Sequence, residues 1–125
     1  MSRVQFEIST GTLTTIDSAG TVTDIGSAYS GNGIALDNPL DTSVHGHGPI
    51  PVGLYTIGAA MYDDEVGEFA LPLTPDPGNQ MFGRSGFYWH GDNPYMNHTA
   101  SDGCIVSSRE LRVIGAAYSL LEVIE

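Results

Sequence analysis

The chain has 125 residues, with 15 Asp and Glu against four Arg and no Lys, and a formal net charge of −11. Nucleic acids and anionic membrane surfaces need clustered positive charge, so neither partner is expected. A hydrophobic content of 41% is too high for a disordered acidic chain, and 16 Gly with 7 Pro favour a turn-rich β protein over a helical bundle. The one cysteine excludes an intrachain disulfide framework and is either a small buried residue or a reactive thiol.

The length fits one domain spanning residues 1–125. Its N-terminus carries no basic stretch followed by an apolar run, so a chain made in the cytoplasm without a signal peptide is expected. No run approaches the ~18 apolar residues that would span a bilayer. Val4, Phe6 and Ile8 alternate with polar neighbours, as in a half-buried strand. Turns at Ser9–Gly11 and Asp17–Gly20 then divide two further short strands, Leu13–Ile16 and Thr21–Ile25. Residues 30–51 are rich in Gly, Asn and Pro and predict a long ordered loop, which in a compact domain is usually functional. Val52–Met61 predicts a strand with Val52, Leu54 and Thr56 on one face and Tyr55 and Ile57 on the other. Asp63–Glu65 and Thr74–Asn79 predict solvated loops. Gly86–His90 is a short aromatic strand, and Leu120–Ile124 a closing one. Between them one helix is expected from Ser107, with Glu110 completing a capping box and Leu111, Ile114 and Tyr118 at helical spacing.

The chemistry-bearing residues lie between the aromatic strand and the helix. His90 ends the strand, and Cys104 follows 14 residues later in Ser101-Asp102-Gly103-Cys104-Ile105. A nucleophilic cysteine needs a neighbouring histidine and is favoured near a helix N-terminus. Gly103 lets a substrate approach the backbone, and the N–H groups of Gly103 and Cys104 would face a developing oxyanion. His90 would serve as base toward the thiol and acid toward the leaving amine. On spacing alone, one His and one Cys are equally the pattern of a structural hydrogen-bonder and a buried apolar residue.

His90-Gly91 followed by Ser101-Asp102-Gly103-Cys104 resembles the His-Gly … Ser/Thr-x-Gly-Cys pattern of the YkuD-like L,D-transpeptidase catalytic domain. It is most similar to the small branch exported by type VI secretion systems as antibacterial effectors. Phe6–Leu13, Ala28–Gly33 with Asp37-Asn38-Pro39, and Gly48–Ile57 resemble the same branch, so the likeness runs along nearly the whole chain. It implies a mainly β, sandwich-like fold with one short helix after the cysteine, and metal-free, cofactor-free cysteine chemistry on peptidoglycan stem peptides. Cys104 would attack the meso-diaminopimelate carbonyl and expel D-Ala. Water would complete an L,D-carboxypeptidase reaction, or an amine a transpeptidation. An effector would also imply a secretion-apparatus carrier, an immunity protein, and action in the periplasm of a target cell.

Two positions depart from the family pattern. Asp102 stands where the common form has a second His, and Val106 where it has Arg. Arg109 is the candidate replacement, because a guanidinium grips a carboxylate through two parallel hydrogen bonds, and Arg84 is a second. Tyr29, Ser30 and Gly31, together with Ser101 and Asp102, are candidates for shaping the substrate groove, and His98 lies in the loop between His90 and Cys104. Two alternatives come from other classes. One is a zinc hydrolase using His45 and His47 with His90 or Cys104; the other is a catalytically idle phage or secretion-apparatus binding module of the same fold.

Overall fold

The computed structural model describes residues 2–63, 67–91 and 103–125. Its N-terminal third follows the predicted meander: β1 (Arg3–Glu7), β2 (Thr12–Ile16) and β3 (Val22–Ser27) pair antiparallel in sequence order. Alternation drives this, because Val4, Phe6 and Leu13 are fully buried while their neighbours face outward. The closing strand β10 (Leu120–Ile124) lies beside β1 in parallel, with Val4 opposite Leu121 and Phe6 opposite Val123. The two ends of the chain therefore share one patch of core.

The next strand, β5 (Gly53–Ile57), pairs with β10 and turns Tyr55 and Ile57 inward, the faces the pattern predicts, while Leu54 is exposed. It ends at Ile57 instead of running on to Met61. Residues 58–60 leave the sheet, and Met61 opens a separate short strand, β6 (Met61–Asp63), which pairs with β7 (Gly67–Pro75). No predicted strand corresponds to β7, because Pro72 and Pro75 interrupt its sequence pattern. Each proline is accommodated near the end of a ladder. Pro75 is the last residue paired with β5, and Pro72 the last paired with β8 (Tyr88–His90). Thr74 and Pro75, expected in a loop, therefore belong to β7, and the turn starts at Asp76, whose Oδ2 accepts from Gly78 N at 3.0 Å. Of the predicted acidic loop, residues 64–66 lie outside the described residues.

Strand β7 joins two halves of one hydrogen-bonded sheet ordered β3-β2-β1-β10-β5-β7-β8-β9-β4, where β4 is Tyr29–Ser30 and β9 is Ile105–Val106. Val4, Phe6, Tyr55, Leu121 and Val123 from one half and Leu71, Trp89 and Ile105 from the other form a single hydrophobic cluster. This is the mainly β, sandwich-like arrangement expected, made by one sheet folded on itself.

The helix α1 (Arg109–Gly115) packs on this sheet but differs from its predicted form. Its N-cap is Ser108, without a side-chain cap bond, and the capping box does not form. Ser107 Oγ instead accepts the indole N–H of Trp89 at 2.7 Å. The buried residues of α1 are Arg112 and Gly115, and Ile114 is exposed. Gly115 is required there because a Cβ would run into the Trp89 ring.

A polar contact fastens the central pair of strands. Glu122 on β10 lies opposite Gln5 on β1, accepting from Gln5 Nε2 at 2.8 Å and Arg3 Nε at 3.0 Å. The hydrogen bond from Gln5, with further help from Arg3, holds the Glu122 carboxyl below its ordinary value against the opposing effect of burial. A carboxyl lowered on folding stabilises the native state above the unfolded-state value near 4.5, and this stabilisation is lost as pH falls through the lowered value. Glu122→Gln should therefore flatten the acid limb of the urea-unfolding stability profile below that pH. An acid limb identical to wild type would contradict the assignment.

Candidate active site

The site is assembled where β8 and β9 run in parallel, with Trp89 opposite Ile105 and His90 opposite Val106. Trp89 and Ile105 are fully buried and fix which side of this pair meets the core. Strand alternation sends the side chains on either side of them to the opposite face. His90 follows Trp89 and Cys104 precedes Ile105, so both leave from that face, roughly 8 Å apart at Cα by strand spacing and rise. The sequence brings these two residues together by pairing strands that are distant in the chain.

The Cys104 sulfur is partly exposed and accepts the Tyr88 backbone N–H at 3.3 Å, with Gly86 O 3.9 Å away. His90 is buried, and its Nδ1 lies 2.7 Å from Gly91 O. A carbonyl oxygen only accepts, so Nδ1 carries the proton and the neutral ring keeps Nε2 as its basic nitrogen. This is the tautomer a general base needs. Cys104 does not adjoin a helix N-terminus, in contrast to the sequence expectation: β9 intervenes, and α1 begins only at Arg109.

The turn carrying the thiol is held from behind. Gly103 has φ 137°, and its carbonyl accepts the Ser30 hydroxyl at 3.0 Å. Ser30 Oγ in turn accepts Ile50 N at 2.9 Å. Because a trans peptide points its N–H opposite to its C=O, this bond directs the Cys104 N–H away from Ser30. Ser30 is fully buried and Tyr29 nearly so; Gly31, at φ 88°, packs so closely on His47 O and Ala35 O that a Cβ would not fit. Ser30 thus braces the cysteine turn from behind, Tyr29 pairs with Val106 on β9, and Gly31 packs against the 31–48 loop.

Arg84 is also buried, and its Nη1 donates to Thr42 O at 2.6 Å and Pro49 O at 2.8 Å and its Nη2 to Gly48 O at 2.9 Å. Its guanidinium lies over the Phe87 ring, 5.2 Å from the centroid, and a Cβ on Gly103 would collide with Nη2. Burial lowers the Arg84 pKa, while electrostatic attraction to Tyr55 and Cys104 acts the other way. Arg109 lies elsewhere. It is largely exposed, 3.4 Å from Glu68 and over the Phe69 ring, an ion pair of the weak surface kind. Arg112 is buried, with Nη1 donating to Glu68 O at 2.9 Å and Phe69 O at 3.1 Å, and its guanidinium packs against Gly91 beside His90. Ser101, Asp102 and His98 lie outside the described residues.

A cleft of about 340 Å³ opens beside the thiol, lined by His45, Arg84, Ser85, Phe87, Gly103 and Cys104 among others. His45 therefore reaches the site, which its local sequence does not signal. Its place depends on the 31–48 loop folding back, with Nε2 donating to Phe82 O at 2.7 Å. His47 instead bonds Asn32 Oδ1 through Nδ1, at 2.7 Å. Among the described residues, no three His, Cys, Asp or Glu side chains gather to hold a metal ion, and no helix is long and apolar enough to cross a membrane.

Gly103→Ala should lower the unfolding free energy by about 1–3 kcal/mol, because the position has a glycine-only φ and faces the guanidinium. A loss below about 0.5 kcal/mol by urea unfolding, the range of a neutral surface change, would contradict this packing.

A family model described as the Tlde1 domain matches residues 24–122. No curated protein sequence matches the chain. Among solved structures, Bdellovibrio bacteriovorus Bd1075 is similar over 98% of this chain and 47% of its own, at TM-score 0.64 and 13% identity. The helical cell shape determining protein Pgp2 from Campylobacter jejuni is similar over 98% of this chain and 46% of its own, at TM-score 0.63 and 16% identity. Mycobacterium tuberculosis L,D-transpeptidase 1 gives TM-score 0.58 and 17% identity over 99% of this chain and 61% of its own. The chain thus spans about half to three-fifths of the length of these structures. The fold is that of the YkuD-like L,D-transpeptidases.

Proposed function

The chain belongs to the Tlde1 domain family, and on that premise we propose that it is a cysteine enzyme of peptidoglycan stem peptides. Its reaction is L,D-carboxypeptidase cleavage, L,D-transpeptidation or both, at the meso-diaminopimelate–D-Ala bond. The observation that carries this reading is the parallel β8–β9 register, which sets His90 and Cys104 on one face, with Cys104 lining a cleft. His90 Nε2 takes the thiol proton, and the sulfur attacks the carbonyl of the third stem residue. The Cys104 N–H, directed away from Ser30, donates to the oxyanion. Collapse of the tetrahedral intermediate breaks the C–N bond. The proton held by His90 goes to the departing D-Ala amine, leaving a thioester on Cys104. Water attacking that thioester regenerates the thiol and releases a shortened peptide, whereas an amine attacking it gives exchange or cross-linking.

The family membership and the peptidoglycan-directed chemistry also support an antibacterial effector role. In that role the protein is carried by a secretion apparatus into a target cell's periplasm, and an immunity protein protects the producer. Forced periplasmic expression is then toxic and cytoplasmic expression tolerated; equal harmlessness of both would contradict the effector role.

Mass spectrometry of muropeptides after incubation with purified protein tests the enzymatic reading. Wild type should convert tetrapeptide stems to tripeptides or exchanged products, with or without EDTA. Cys104→Ala should lower that rate by at least roughly a thousandfold. An unchanged product profile for Cys104→Ala, or activity abolished by EDTA and restored by zinc, would overturn the thiol mechanism.

A further inference from the structure

We infer that Arg112 is a positioning residue for His90: its guanidinium, anchored on β7, holds the Gly91 peptide whose carbonyl fixes the tautomer of the histidine. The inference rests on the cysteine mechanism proposed above and extends it to a group behind the strand that carries the base.

Three observations carry it. First, the acceptor that sets the tautomer belongs to a glycine. His90 Nδ1 lies 2.7 Å from Gly91 O, while the His90 carbonyl accepts Ser107 N at 3.1 Å. The His90 backbone is thus held by the strand pair, and Gly91 is the first residue beyond it. Glycine has the freest backbone of any residue, so its carbonyl keeps one direction only under restraint from elsewhere. Second, the guanidinium occupies the space where a side chain at Gly91 would stand. A Cβ there would lie 2.9 Å from Nη2, 3.3 Å from Cζ and 3.4 Å from Nη1 of Arg112. Third, Arg112 is itself fixed. It is buried, and Nη1 donates to Glu68 O at 2.9 Å and Phe69 O at 3.1 Å. The β7–β8 ladder pairs Leu71 with Trp89, and continuing that register would set Phe69 opposite Gly91. Phe69 instead adopts φ 51°, and its carbonyl turns to the guanidinium. Arg112 therefore joins β7 to Gly91 where strand pairing stops.

The placement follows from two periodicities. Trp89 and Gly91 are two apart on extended backbone and share a face, while His90 between them takes the other. Arg112 and Gly115 are three apart on α1, share a face and are its buried residues. Gly115 seats the Trp89 ring, because a Cβ there would strike it, and Arg112 then falls on Gly91. The rise over three helical residues is about 4.5 Å and that over two strand residues about 6.6 Å, a difference a long side chain spans. One docking of α1 on β8 thus makes both contacts, and Arg112 acts on the base from the face opposite the thiol. A neutral imidazole whose Nδ1–H is held by a carbonyl presents Nε2 as the base. Released, it shifts toward the Nε2–H form that water favours, and Nε2 in that form cannot take the thiol proton.

The tautomer is read without substrate, by nitrogen NMR of protein carrying isotope-labelled histidine. Wild type should show the Nδ1–H form at His90, the signal being assigned by its loss in His90→Gln. Arg112→Gln removes the planar cation and should shift that ring toward Nε2–H. It should also lower kcat on a stem tetrapeptide by roughly 10- to 100-fold while KM changes less than about twofold. Gly91→Ala displaces the guanidinium from the other side and should give the same two signatures. In the double variant the losses in kcat should fail to multiply, since both act through one contact. A folded Arg112→Gln with the wild-type tautomer or the wild-type kcat would overturn the inference, as would losses that multiply. Should Arg112→Gln fail to fold, Gly91→Ala decides alone, and an unchanged His90 tautomer there overturns the inference. Shifted tautomers in the variants of a protein whose wild type cleaves no stem peptide would instead count against the proposed function, so the two failures are distinguishable.

Discussion

Burial of Trp89 and Ile105 side by side on the parallel pair β8–β9 fixes everything else at the site. Both side chains are fully buried, so the register of this short pair cannot slip without moving a tryptophan out of the core. Once the register is set, alternation leaves no choice for the flanking residues, and His90 and Cys104 emerge on the opposite face. The indole N–H bonded to Ser107 and the ring packed on Gly115 tie the same strand to α1. The ladder also continues through β9 to β4, where Ser30 pairs with Ile105 and its hydroxyl holds the Gly103 carbonyl. One packing constraint thereby positions His90, Cys104 and the peptide that precedes Cys104.

The electrostatics of the chain make sense on the same basis. A protein of net charge −11 attracts acidic polymers poorly through its overall field, so binding any acidic ligand would depend on local cationic and dipolar groups. The four arginines divide the work unevenly. Arg3 fastens β1 to β10 through Glu122. Arg109 is a solvated surface partner of Glu68, Arg112 braces Gly91 and β7, and Arg84 alone lies on the cleft beside the thiol.

Much of this was legible in the sequence where local pattern and tertiary structure agree. The β1–β3 meander, the inward faces of Tyr55 and Ile57, the aromatic strand and the closing strand follow from period-two burial. The His90–Cys104 pair was legible only through the motif, since the residues between them carry no periodicity that would fix their approach. Features decided by distant partners were not legible. The prolines of β7 hide a strand that exists because its partners change along its length. Ser107 was diverted from capping by an indole 18 residues away in the chain. His45 reaches the cleft only because a Phe82 carbonyl draws it there. Arg84 reads locally as a loop cation in Gly83-Arg84-Ser85-Gly86, and its burial depends on carbonyls roughly 40 residues upstream, a separation no local pattern encodes.

The central claim is that Cys104 becomes covalently acylated by a stem peptide through the geometry that β8 and β9 impose. Rapid-quench intact-protein mass spectrometry during turnover of a tetrapeptide stem measures this most directly. The account predicts a transient adduct equal to the stem without its terminal D-Ala, mapped by peptide digestion to Cys104 and absent in Cys104→Ala. Turnover with no covalent species on Cys104, or an adduct on another residue, would contradict it.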